Sequence, residues 1–152
     1  MTVAKQYCSF YVADLFFGIE VQLVQEVIRY QQMSQVPLAP REVGGLINLR
    51  GQIVTSIDLR RRLKLPDREA GKLPMNVVVR TDDAAVSLLV DDIGDVLQPE
   101  PDTFESTPGT LTGVTRELVC GVHKLKDKLL LILNAAEAVT LAARPKEFSE
   151  AA

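Results

Sequence analysis

Short apolar runs, each broken within about eight residues by a turn signal, constrain this chain more than any other feature. Strands of that length bury no core alone, so they must pair and pack together. Tyr7 to Val12 and Leu15 to Ile19 are rich in aromatic and β-branched residues, and Ala13-Asp14 between them predicts a hairpin. Val21, Val24 and Ile28 follow a helical spacing, which predicts one or two helical turns passing into a strand. Pro37 and Pro40 mark a loop, and Gly44-Gly45 precede the run Leu46 to Leu49. Arg50-Gly51 separates that run from Gln52 to Ile57 and predicts a second hairpin. Asp58 then stands as the N-cap of a short basic turn, Leu59 to Leu63.

The second half repeats the pattern. Residues 64–74 carry Pro66, Gly71 and Pro74 and read as an exposed loop. Met75 to Arg80 and Ala84 to Val90 predict a hairpin across Asp82-Asp83, and Ile93 to Leu97 a further short strand. Residues 98–113 hold three prolines and two glycines, a long connection. Leu118 to Leu125 and Lys128 to Leu133 predict a hairpin turning at Lys126-Asp127. A small Ala-rich helix is expected over 135–143, and a frayed tail over 143–152. Short strands so closely spaced predict an all-β sandwich or small barrels with short helices.

The balance of 47% apolar to 24% charged residues suits a single globular domain that needs no disulfide staple. No apolar leader follows the first residues and no run approaches a membrane span, so a soluble cytoplasmic protein is expected, with Cys8 and Cys120 as reduced thiols. Charge is uneven. Residues 41–72 hold eight Lys/Arg against four acids, whereas 82–105 hold eight acids and no Lys or Arg. A dipolar surface of this kind suits protein partners. The acidic stretch, and aromatics crowded into the first seventeen residues away from the basic run, argue against nucleic acid.

Chemistry is hard to assemble from these residues. His123, the sole histidine, is flanked by Val122 and Lys124 and reads as a surface or rim residue, not a catalytic base. One His and two distant Cys give no zinc spacing, and Asp91, Asp92 and Asp95 lack the calcium-loop pattern, reading instead as a solvated strand edge. No glycine-rich phosphate cradle is present, and Arg60-Arg61-Arg62 reads as a solvated face. No catalytic residue, metal ligand or cofactor is therefore predicted. Two charges are unusual: Glu26 beside the apolar face of a short helix, and Arg50 inside an otherwise apolar hairpin. Arg50 either points inward, where it needs a partner, or is solvated at the turn.

The segment from Gly45 through Asn48-Leu49-Arg50-Gly51 to Asp58-Leu59-Arg60 resembles the signature of the CheW family of chemotaxis coupling proteins. Phe17 to Glu20, Val24-Gln25-Glu26, Val90 to Leu97 and Leu129 to Asn134 fit the same family in order, across about residues 6 to 142. The resemblance implies one domain over 6–142 built from two small five-stranded SH3-like β-barrel subdomains packed together. It implies a non-enzymatic cytoplasmic adaptor that joins chemoreceptor cytoplasmic tips to the regulatory domain of a CheA-type histidine kinase. Membranes would be met only through the receptors in their arrays. Receptor-binding positions of the family match at Val24, Glu26, Gly45 and Arg50, and Ile93 and Val96 fall on a strand linked to partner contact. The family also associates this arginine with the glutamate at position 26. The sequence departs from the family at Thr55-Ser56, where a proline is usual. The alternatives are the same kind of adaptor in a non-swimming pathway (surface motility or gene regulation) and, more remotely, a small-barrel nucleic-acid binder.

Overall fold

The structure, a computed structural model, describes residues 5–81 and 84–140. The expected Asp82-Asp83 turn and the 143–152 tail lie outside the described residues; the helix expected over 135–143 ends at Val139, because Thr140 is extended (φ −83°, ψ 123°). Strands β1 (Tyr7–Val12) and β2 (Leu15–Glu20) form the first hairpin. A single 3-10 turn, Val21–Leu23, passes directly into β3 (Val24–Ile28). Then come β4 (Val43–Leu49), β5 (Gln52–Asp58), helix α1 (Leu59–Arg62), β6 (Met75–Arg80), β7 (Ala85–Val90) and β8 (Asp92–Leu97). After a 3-10 turn at Pro101–Thr103 the chain adds β9 (Phe104–Glu105), α2 (Gly113–Leu118), β10 (Val119–Lys124), β11 (Leu129–Leu133) and α3 (Ala135–Val139).

These strands make two sheets, a five-stranded one in the order β3-β6-β7-β5-β4 and a six-stranded one in the order β8-β1-β2-β11-β10-β9. The mostly-β, two-sheet architecture is the expected one. The five-stranded sheet curls until its ends meet: beyond β3, Ser34 exchanges two 2.8 Å backbone hydrogen bonds with Leu46 of β4, at the opposite edge. Alternation then buries both faces. Val77 and Val79 of β6 enter a core shared with Phe10, Phe17 and Leu131 of the other sheet, while Val78 packs with Ile47 and Val54 in a separate cluster. On the far face of the six-stranded sheet, Tyr7, Phe16, Leu130 and Ile132 form a third cluster.

Two elements differ from expectation. The second sheet has six strands, not five, because β9 pairs Phe104 with His123 and Glu105 with Val122. Gly121 admits it: a Cβ there would lie 2.2 Å from the Phe104 ring. Helix α2 takes Leu118 from the expected strand, so β10 starts one residue later. The Asp58 cap is as expected, its carboxylate accepting from the Arg60 amide at 3.0 Å.

Candidate functional site

Arg50 and Gly51 both have positive φ, 52° and 88°, the backbone that a two-residue primed hairpin turn requires. Asn48 fixes the turn, its Oδ1 accepting from the Gly51 amide at 2.8 Å. The Arg50 side chain therefore stands out from the tip of the β4–β5 hairpin, 69% exposed. Because the sheet curls, the tip comes to Glu26 of β3, on the other edge strand, and the Arg50 guanidinium donates to the Glu26 carboxylate. That hydrogen bond holds the carboxyl below its usual range, against a smaller upward push from burial. Gln25 donates to the same oxygen at 3.4 Å and accepts from Arg80 at 2.9 Å. The result is an exposed polar ladder, Arg80–Gln25–Glu26–Arg50. Of the two alternatives for Arg50, the structure realises the solvated turn, and from there the side chain also pairs with Glu26.

The other expected positions are placed differently. The β3–β6 register shifts between Val24 and Glu26, so Val24 joins the shared core while Glu26 faces the hairpin tip. Gly45 is buried and lies against the segment that closes the sheet: a Cβ there would come within 2.8 Å of the Ser34 carbonyl oxygen and 2.9 Å of the Met33 Cβ. Ile93 and Val96 lie on β8, the edge of the other sheet, Ile93 against the shared core and Val96 59% exposed. The structure thus brings together Glu26 and Arg50, places Gly45 against the 33–34 segment that closes the same sheet, and sets Ile93 and Val96 on a second surface.

The sequence profile of the CheW-like domain matches residues 6–143. The chain belongs to the CheW-like domain family. It is 27% identical over 133 residues to the chemotaxis protein CheW of Treponema pallidum, covering 85% of this chain and 78% of that one. The chemotaxis protein CheW of Bacillus subtilis is 30% identical over 119 residues, covering 78% of this chain and 76% of its own. The crystal structure of the scaffolding protein TtCheW from Thermoanaerobacter tengcongensis superposes with a TM-score of 0.78 at 27% identity, over 87% of this chain and 90% of that one.

Four readings of charged and titratable side chains in this CheW-like domain are corrected by the structure. Asp91 is not a solvated edge: its carboxylate accepts from Arg60 Nε and Nη2 at 2.9 and 2.7 Å, Arg68 Nε at 2.8 Å and the Ala13 amide at 2.6 Å. Burial pushes its carboxyl up, but those hydrogen bonds outweigh it and hold it below the usual range. Arg60 is accordingly not a solvated face, and neither is Arg62, which donates to the Glu137 and Ala138 carbonyls. Within the expected exposed loop, Arg68 is nearly enclosed, between Asp58 and Asp91. His123 is no rim residue either. It is 4% exposed, packed between the Tyr7 and Phe104 rings, with Nδ1 2.8 Å from Thr103 Oγ1. Burial lowers its pKa.

Among the described residues no three His, Cys, Asp or Glu side chains converge as metal ligands. No described helix is long and apolar enough to cross a membrane. The missed network had one faint signal. Asp91 directly follows the buried run Ser87 to Val90, where a carboxylate is expensive without cations.

Proposed function

We propose that the protein is a non-enzymatic adaptor that couples chemoreceptor cytoplasmic tips to a CheA-type histidine kinase. It works in the cytoplasm, meets the membrane only through receptor arrays, and folds as one domain of two barrel subdomains over 6–142. The observation that carries this reading is the separation of the two candidate surfaces. Glu26 and Arg50 stand at the hairpin tip of the five-stranded sheet, while Ile93 and Val96 lie on the edge strand of the six-stranded one. One molecule can then hold two partners at once, which is what an adaptor does.

At the receptor surface the two residues have different tasks. Glu26 uses part of the Arg50 guanidinium and restrains it, leaving the remaining donors of the planar fork facing outward for a partner acceptor. Val24 and Gly45 support this surface from below. Ile93 and Val96 supply an apolar edge for the kinase domain.

The test is co-sedimentation of the protein with a receptor cytoplasmic fragment and, separately, with the kinase. Arg50→Ala is expected to weaken receptor binding by about tenfold or more, as a central arginine does at an interface, and to leave kinase binding unchanged. Val96→Glu is expected to do the reverse. A parent protein that binds neither partner, or an Arg50→Ala protein that binds receptor as well as the parent does, would sink the reading.

A further inference from the structure

Among the described residues the chain passes between the two sheets only twice, at Val21–Leu23 between β2 and β3 and at Asp91 between β7 and β8. The second crossover is a single residue. The Asp91 amide donates to the Tyr11 carbonyl at 2.9 Å, and its carboxylate accepts from the Ala13 amide, so both tie it to the β1–β2 hairpin of the six-stranded sheet. From the other side come Arg60, on the helix that follows β5, and Arg68, whose fork also reaches Asp58 at 3.3 Å. Arg60 and Arg68 face Asp58 and Asp91, all four side chains at most 19% exposed, and Arg61 lies 3.8 Å from Asp58 at the more exposed rim.

An enclosed network of this kind adds little net stability compared with apolar packing, but it is directional. The shared core between the sheets is apolar, and apolar contact alone tolerates small slides. We infer that the Asp58–Arg68–Asp91–Arg60 network is the joint that fixes how the two sheets are turned relative to each other. It thereby fixes the relative placement of the two partner surfaces, one on each sheet. The second half of this inference rests on the adaptor reading; the first does not.

The experiment places nitroxide labels at Ile53→Cys and Leu129→Cys, exposed positions on different sheets, in a Cys8→Ser/Cys120→Ser background. Distances are measured by pulsed electron resonance. Asp91→Asn is expected to keep a cooperative melt but broaden or shift the distance distribution. Asp67→Asn, in an exposed pair of the same segment, is expected to leave it unchanged. Arg60→Gln/Arg68→Gln provides a second route to the same loosening. An unchanged distribution in both network variants overturns the joint, and so does loss of folding in both, which would show a plain stability role. In assembly assays Asp91→Asn should bind receptor fragment and kinase singly as the parent does. Joint assembly should fall by about tenfold, within the range of coupling between two sites. Undiminished joint assembly overturns the functional half. If the parent binds neither partner, the adaptor reading fails by itself and the label distances still decide the joint.

Discussion

Gly45→Ala is the substitution that most sharply separates framework from contact at the candidate receptor surface. A Cβ at this position meets the Ser34 carbonyl oxygen at 2.8 Å and the Met33 Cβ at 2.9 Å, backbone and near-backbone atoms that cannot rotate away. The 33–34 segment must retreat, and the two hydrogen bonds between Ser34 and Leu46 that close the sheet are stretched. Overpacking costs about 1–3 kcal/mol, each weakened hydrogen bond at most about 1 kcal/mol, and the φ of 154° at Gly45 adds backbone strain, so a total of at least about 3 kcal/mol is expected. For a chain of this size that lowers the Tm by about 6–12 °C. Urea unfolding should show a lower midpoint with the slope unchanged, and hydrogen exchange at the Leu46 amide should accelerate. Gly51→Ala is the control, with φ 88° and nothing within 4 Å. There backbone strain acts alone, about 1 kcal/mol. If Gly45→Ala melts within about 0.5 kcal/mol of the parent yet loses receptor binding, Gly45 is a direct contact and the closure argument is wrong.

Two further outcomes follow from the corrected side chains. Burial lowers the folded pKa of His123 from 6.5, so the unfolded chain takes up a proton that the folded chain refuses; stability is full above about pH 6.5 and declines as the pH falls through the unfolded value toward the folded one. His123→Gln should reduce the difference in urea midpoint between about pH 7.5 and pH 5.5, and an undiminished difference would assign that dependence to other groups. Arg68 is held by Asp58 and Asp91 while Lys72 is exposed, so brief trypsin treatment should cut after Lys72 before it cuts after Arg68; earlier cleavage at Arg68 would mean that its ion pairs open readily.

Most strands were legible because their signals are local. Tyr7–Val12, Gln52–Asp58 and Met75–Arg80 each carry their own apolar run and lie beside their own turn residues. β9 has only two residues, so its existence depends on a partner strand and on the bare backbone at Gly121. α2 has Thr112 at its N-cap position, but that side chain makes no cap and the helix begins at a glycine of φ 63°, so the start signal is weak. At the candidate site, the Glu26–Arg50 pairing could be expected from the family resemblance, whereas the sequence left open whether Arg50 points inward or is solvated at the turn. Exposure depends on the positive-φ turn and on how far the sheet curls. His123 was misplaced for a similar reason: its neighbours in sequence do not bury it, but the Phe104 strap and Tyr7 do.

Arg50 and Arg60 are two arginines of one motif segment, each facing a carboxylate, and their surroundings give them opposite uses. Arg50 projects from a hairpin tip with its side chain 69% exposed, so although one nitrogen is held by Glu26 the rest of its fork remains available. An exposed pair of that kind contributes little to folding. Its value lies in what it presents. Arg60 meets Asp91 through both Nε and Nη2 and donates to the Pro66 carbonyl as well, with little water near it. That fork cannot turn to a partner without leaving Asp91 short of donors in a dehydrated place, where a lost donor is costly. The tip is therefore free to recognise, while the crossover is committed to holding. An adaptor needs both in one small chain, because a surface that can be recognised is useful to a second partner only if its position relative to the first is fixed.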